Sequence, residues 1–123
     1  MVNEQVGEIE IRVAGEVIPL RPSFKGIQQI QQLCGGKSIY WVSIQLSQPA
    51  TQLIEYVVAV TWGGYLGYCQ SEGKEPKWTY ETLGDFIVQH GQAEFLDQIA
   101  KFLQKGLVGS EKKNGPGKSM TRG

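Results

Sequence analysis

Gly7-Glu8-Ile9-Glu10-Ile11-Arg12-Val13-Ala14-Gly15-Glu16-Val17-Ile18-Pro19-Leu20-Arg21 is the stretch that decides the fold class. Apolar and polar residues alternate strictly from Gly7 to Val13, which puts Ile9, Ile11 and Val13 on one face of a strand. Ala14-Gly15 supplies the turn, since Gly takes φ > 0 without steric cost. Glu16 to Arg21 then reads as the return strand. Pro19 has no N–H to give to a ladder, so that strand belongs at an edge. A lone hairpin is marginal in water, and its apolar face needs helices to cover it.

Helices follow. Ser23 after Pro22 reads as an N-cap. Phe24, Ile27, Ile30 and Leu33, with Cys34, mark an inward face, and Gln28, Gln29, Gln31 and Gln32 the solvated one. Gly35-Gly36 ends that helix. Residues 38 to 47 fit two templates. Tyr40, Val42, Ile44 and Leu46 alternate as in a strand, while Ile39, Val42 and Leu46 behind Ser38 fit a capped helix. From Pro49 a broad helical face runs through Leu53, Ile54, Val57, Val58, Val60 and Thr61. Gly63-Gly64 is expected to weaken or break it before Tyr65 to Cys69. Gln70 to Lys77 reads as a polar loop. Thr79 then caps a helix in which Leu83, Phe86, Ile87 and His90 share a face, and Gly91 stops it. A last helix from about Ala93 to Leu107 turns Phe95, Leu96, Ile99, Phe102, Leu103 and Leu107 inward. Residues 109 to 123, rich in Gly, Ser, Lys and Asn, lack the apolar content to fold. The chain therefore divides into a single domain over 1–108 and a disordered basic tail over 109–123.

Composition narrows the classes of function. A chain of 123 residues with 41% hydrophobic and 20% charged side chains fits one globular domain. Sixteen glycines, without a repeat period, imply many breaks between short elements. The formal net charge is zero, with twelve basic and twelve acidic side chains, so no global field draws the chain to nucleic acid or membrane. That neutrality is a sum of opposites. Through Val108, eleven acidic and eight basic side chains leave the body at −3, and beyond it four basic residues and Glu111 leave +3. Tyr56 to Ser71, the most apolar charge-free stretch, is shorter than the ~20 residues a spanning helix needs. The first residues lack the layout of a signal peptide, and the expected setting is intracellular.

Residues that could carry chemistry are sparse. Two cysteines, Cys34 and Cys69, match no disulfide framework or metal motif, and His90 is the single histidine. No catalytic, cofactor-binding or metal-binding residue is assigned. His90 near the end of its helix is read as a favourable charge at the C-terminal carbonyls. Gly115-Pro116-Gly117-Lys118-Ser119 resembles the end of a phosphate loop, but Lys112 stands where the motif needs its first Gly. Trp62, Tyr65 and Tyr68 around Gly63-Gly64, with Trp78, form the candidate partner-binding set, because Trp and Tyr are enriched at interface hot spots. The simpler reading of each is a packing residue.

Gly7-Glu8-Ile9-Glu10-Ile11, then Gly15, then Leu20-Arg21-Pro22-Ser23-Phe24 with Ile27 and Ile30, resembles the opening of the tail assembly chaperone family of siphophages and gene transfer agents, whose members are also classed as tail tube proteins. Thr79 to Ile87 with Gly91 is similar to the family's C-terminal half. The resemblance spans roughly Gly7 to Leu107. It implies an α+β fold with an N-terminal β-hairpin packed on a bundle of four to five short α-helices, which favours helix for residues 38 to 47. It also implies action by binding, with the tape-measure protein and tail tube protein as partners in the cytoplasm of a bacterial host during tail assembly. No enzymatic activity, cofactor, nucleic acid or membrane is expected, and homo-oligomerisation stays open. The alternatives are a structural tail tube subunit and a small enzyme or nucleotide-binding protein.

Overall fold

Residues 8–107 are described by the computed structural model. Strands β1 (Ile9–Val13) and β2 (Glu16–Leu20) form an antiparallel hairpin with Ile11 opposite Ile18 and Val13 opposite Glu16. That register leaves Ala14 and Gly15 as a two-residue loop, and both have positive φ, +53° and +81°. Such a pair matches the right-handed twist of the strands. Ile11, Val13, Ile18 and Leu20 are buried and Ile9 is half-buried. At the open end of the hairpin β1 starts at Ile9 and β2 stops at Leu20, and Glu8 and Arg21 beyond them enter an ion-pair cluster instead, while Gly7 lies outside the described residues.

Five α-helices carry the rest: α1 (Phe24–Leu33), α2 (Ile39–Leu46), α3 (Ile54–Glu72), α4 (Tyr80–His90) and α5 (Gln92–Phe102). The fold is α+β, with the hairpin lying on α3 and α5. Ser23, Ser38 and Thr79 each accept the N–H of the third residue on, so three helix starts follow from the sequence. Thr82 returns the bond to the Thr79 N–H and completes a capping box. Residues 38 to 47 resolve to the capped helix. Pro49 does not start α3: Pro49–Thr51 is a 3₁₀ turn, and the long helix begins at Ile54. Gly91 ends α4 and accepts the first bond of α5, from Phe95 N–H. The described residues end on a π-helical turn, Leu103–Leu107.

The main correction concerns Gly63-Gly64. Helix α3 runs unbroken through both, because the glycines occupy its closest approaches to neighbouring elements. A Cβ on Gly63 would lie 2.4 Å from Ile30 Cγ1, one on Gly64 would lie 2.9 Å from Leu20 Cβ, and one on Gly67 would crowd the Arg21 carbonyl oxygen. What a free helix loses in propensity at Gly is offset here by close packing. The same contact rotates α1. Its buried line is Gly26, Ile30 and Cys34, while Phe24 is 76% exposed and Leu33 is also exposed. His90 stands in the last turn of α4, its ring 4.7 Å from that of Phe86, and is exposed while Leu83 and Ile87 are buried. The side chain of Leu107, the domain end at residue 108, and the tail over 109–123 with its Lys118 motif lie outside the described residues.

Candidate functional site

The four aromatic residues expected at a partner surface are brought together in part, and as packing. Tyr65 is 5% exposed, and its hydroxyl accepts the N–H of Lys77 at 2.6 Å. Burial, above all, raises its pKa, so the phenol stays neutral. Trp62 is half-buried, its ring centroid 6.2 Å from Tyr65 and 6.3 Å from Tyr80. Trp78 leans on Phe86 at 4.9 Å. Tyr68 lies elsewhere on α3: its ring sits 5.2 Å below the Arg21 guanidinium, and its hydroxyl accepts from Lys74 Nζ at 3.2 Å. These contacts fasten the loop between α3 and α4 to the helices. They do not make one open face.

Arg21 is the best-connected charge. It is 6% exposed and donates through Nε and Nη2 to the Glu8 carboxylate at 3.1 and 3.2 Å. Nη2 also lies 3.0 Å from Glu72, and Nη1 donates to Ser71 Oγ. Its main-chain N–H donates to Gly64 O at 3.0 Å. The cluster ties the hairpin to the end of α3. Four of the five guanidinium N–H groups face internal partners, which makes the cluster structural.

No hydrogen bond joins His90 to Cys34, Cys69 or Asp85 among the described residues. Both cysteines are buried and free, and burial pushes the Cys34 thiol up to about 11, opposite to the direction that activates a nucleophile. No group of three or more His, Cys, Asp or Glu among the described residues is placed to hold a metal. No described helix is long and apolar enough to cross a membrane.

What the surface does offer is a groove of about 220 Å³ between the start of α3 and α4. Ile54 and Val58 form one apolar wall, Tyr80, Gly84 and Val88 the other. Val88 is 64% exposed. Glu55, Glu81 and Asp85 stand along the rim, all exposed. Gly84 keeps the floor low: a Cβ there would only touch Val58 at 3.5 Å. Tyr80 has its pKa raised, mainly by burial and then by Cys34 and Glu55, so its hydroxyl remains a neutral donor. A second hollow of similar volume is lined by Leu66, Cys69 and Pro76 between Lys25 and Lys74. None of Trp62, Tyr65, Tyr68 and Trp78 lines the groove. The legible signal is the spacing of Glu81, Asp85 and Val88, which puts the three on one helix face around Gly84.

Comparison of the chain with protein families, with curated proteins and with solved structures returned no match.

Proposed function

We propose that this chain is a tail assembly chaperone of the phage and gene transfer agent type. In this reading it holds apolar segments of the tape-measure protein, and engages tail tube subunits, in the bacterial cytoplasm until the tube assembles around the tape measure. The supporting observation is the α3–α4 groove, whose apolar walls end in the exposed Val88. Burying one Val- or Leu-sized side chain contributes roughly 1.5–3 kcal/mol. Only a few such anchors are present, and the loss of rotational and translational freedom on association opposes them. The balance is weak, reversible capture, which a chaperone needs and a permanent structural contact does not. The tail tube alternative requires long paired strands to close rings, whereas the hairpin pairs five residues with five.

Co-expression with the tape-measure protein of the same gene cluster tests the proposal. The tape measure is expected to move into the soluble fraction and to co-purify with this chain. A tape measure that aggregates equally with and without it overturns the proposal. So do rings or tubes of the purified chain in electron micrographs, which would assign it the tube role.

A further inference from the structure

A groove that captures any apolar segment would have no reason to be lined by one sign of charge. The α3–α4 groove is. Its apolar centre is Ile54, Val58 and Val88 over Gly84, and among the described residues the charged ones lining it are Glu55 on the α3 bank and Glu81 and Asp85 on the α4 bank. Glu81 and Asp85 are four residues apart and so stand one turn from each other along α4. Carboxylates placed this way repel acidic segments and attract Lys and Arg, which selects among clients more than it adds affinity. The volume, about 220 Å³, suits one large side chain rather than a small-molecule ligand.

We propose that the groove binds a cationic amphipathic helix. One apolar side chain of that helix sits over Gly84 between Ile54, Val58 and Val88. Lys or Arg residues one turn before and after it face Glu55, Glu81 and Asp85. This is helix-in-groove recognition with anchors at i−4, i and i+4. It rests on the chaperone reading and specifies the client segment that the reading leaves open.

The test uses the full chain and two alanine-based helical peptides, each with one Leu, flanked by Arg in one and by Glu in the other. Amide resonances of Val58, Gly84 and Val88 are expected to shift on adding the Arg peptide, with Kd on the order of 10–100 µM. Binding weakens by about fivefold or more between about 50 and about 300 mM salt. Asp85→Lys, an exposed change that leaves the apolar walls intact, is expected to cost about tenfold or more and to favour the Glu peptide. Gly84→Leu, which fills the floor, abolishes binding. Equal binding of the two peptides overturns the proposal, as do shifts centred on Phe24 and Tyr40. Concentration-dependent self-association lost in Val88→Asp would give the groove to a second copy of this chain, and also overturns it. Co-expression separates the two readings. If Asp85→Lys keeps the tape measure as soluble as the parent chain does, the groove assignment fails and the chaperone reading stands. If the parent chain keeps none soluble, the chaperone reading fails whatever the peptides do.

Discussion

Gly26 and Gly63 meet where α1 crosses α3, each under the other's main chain. A Cβ on Gly26 would lie 2.5 Å from the Gly63 carbonyl oxygen, and one on Gly63 would lie 2.7 Å from the Gly26 carbonyl oxygen. Backbone cannot step aside as a side-chain tip can. Gly63→Ala and Gly26→Ala are therefore expected to lower stability by about 2–3 kcal/mol, the usual size of overpacking, despite the ~1 kcal/mol that Ala gains over Gly in a helix. Gly84→Ala is the control, because its Cβ meets Val58 at an ordinary 3.5 Å. That variant is expected to gain up to ~1 kcal/mol in urea denaturation.

The contrast marks how far the sequence could be read. Turn chemistry and caps work through neighbours in the chain, so Ala14-Gly15, Ser23, Thr79 and Gly91 could be placed from local residue types, whereas the pattern around Ser38 fitted strand and helix alike. Glycine inside an apolar run has two opposite meanings, a break or a close crossing. Only the identity of what crosses decides, here Gly26 and Ile30 from a segment more than 30 residues away. The same crossing exposes Phe24, which the three-residue spacing turned inward. The aromatic set shows the same dependence on context: the Tyr65 hydroxyl, a polar tip suited to an interface, here accepts from Lys77 N–H, and the Trp78 ring packs on Phe86. The groove was hidden because it is made of ordinary residues, and only the juxtaposition of α3 and α4 gives Glu55 and Asp85 a common target.

Arg21 lies within 3.2 Å of two carboxylates, with Glu8 itself nearly buried. Arg21→Met removes the cation and strands Glu8, and is expected to cost about 3 kcal/mol. Restoring neutrality with Glu8→Gln in the same chain should recover part of that loss. The double-mutant cycle reads the coupling directly, and additive losses would dismiss the ion pair as a contributor.

Ala14 holds φ at +53°, a conformation that costs an L-residue with a Cβ roughly 1 kcal/mol. Asn tolerates it better, and Asn-Gly is the preferred pair for a two-residue hairpin loop. Ala14→Asn is accordingly expected to raise stability by about 0.5–1 kcal/mol with the rest of the fold unchanged. Equal or lower thermal stability would contradict the turn geometry.

The hydroxyl of Tyr65 is the tether of the α3–α4 loop, through its 2.6 Å bond from Lys77 N–H. Tyr65→Phe keeps the ring and removes the acceptor, at an expected cost of about 1 kcal/mol. Hydrogen exchange should quicken at Lys77 and Trp78 and stay slow in the middle of α3. If the tether positions α4, the same variant also weakens binding of the Arg peptide at the groove.

Cys34 gives the protein an alkaline limit. Its thiol is raised from an ordinary 9.0 to about 11 by burial, so above about pH 9 the unfolded chain releases this proton first. Fewer protons bound in the unfolded state than in the folded state means that stability falls as pH rises. The contribution is whole below about pH 9, declines toward about pH 11, and amounts to about 2 kcal/mol over that window. Tyr65 and Tyr80, both raised mainly by burial, add to the loss from their own higher range. The unfolded tyrosines begin to ionise below their ordinary 10.0, so unfolding free energies between about pH 8 and about pH 9.5 weight the thiol most. Cys34→Ala is expected to be less stable than the parent at neutral pH through lost packing, yet to show a flatter decline across that interval. A decline as steep as the parent's would mean that another group sets the limit.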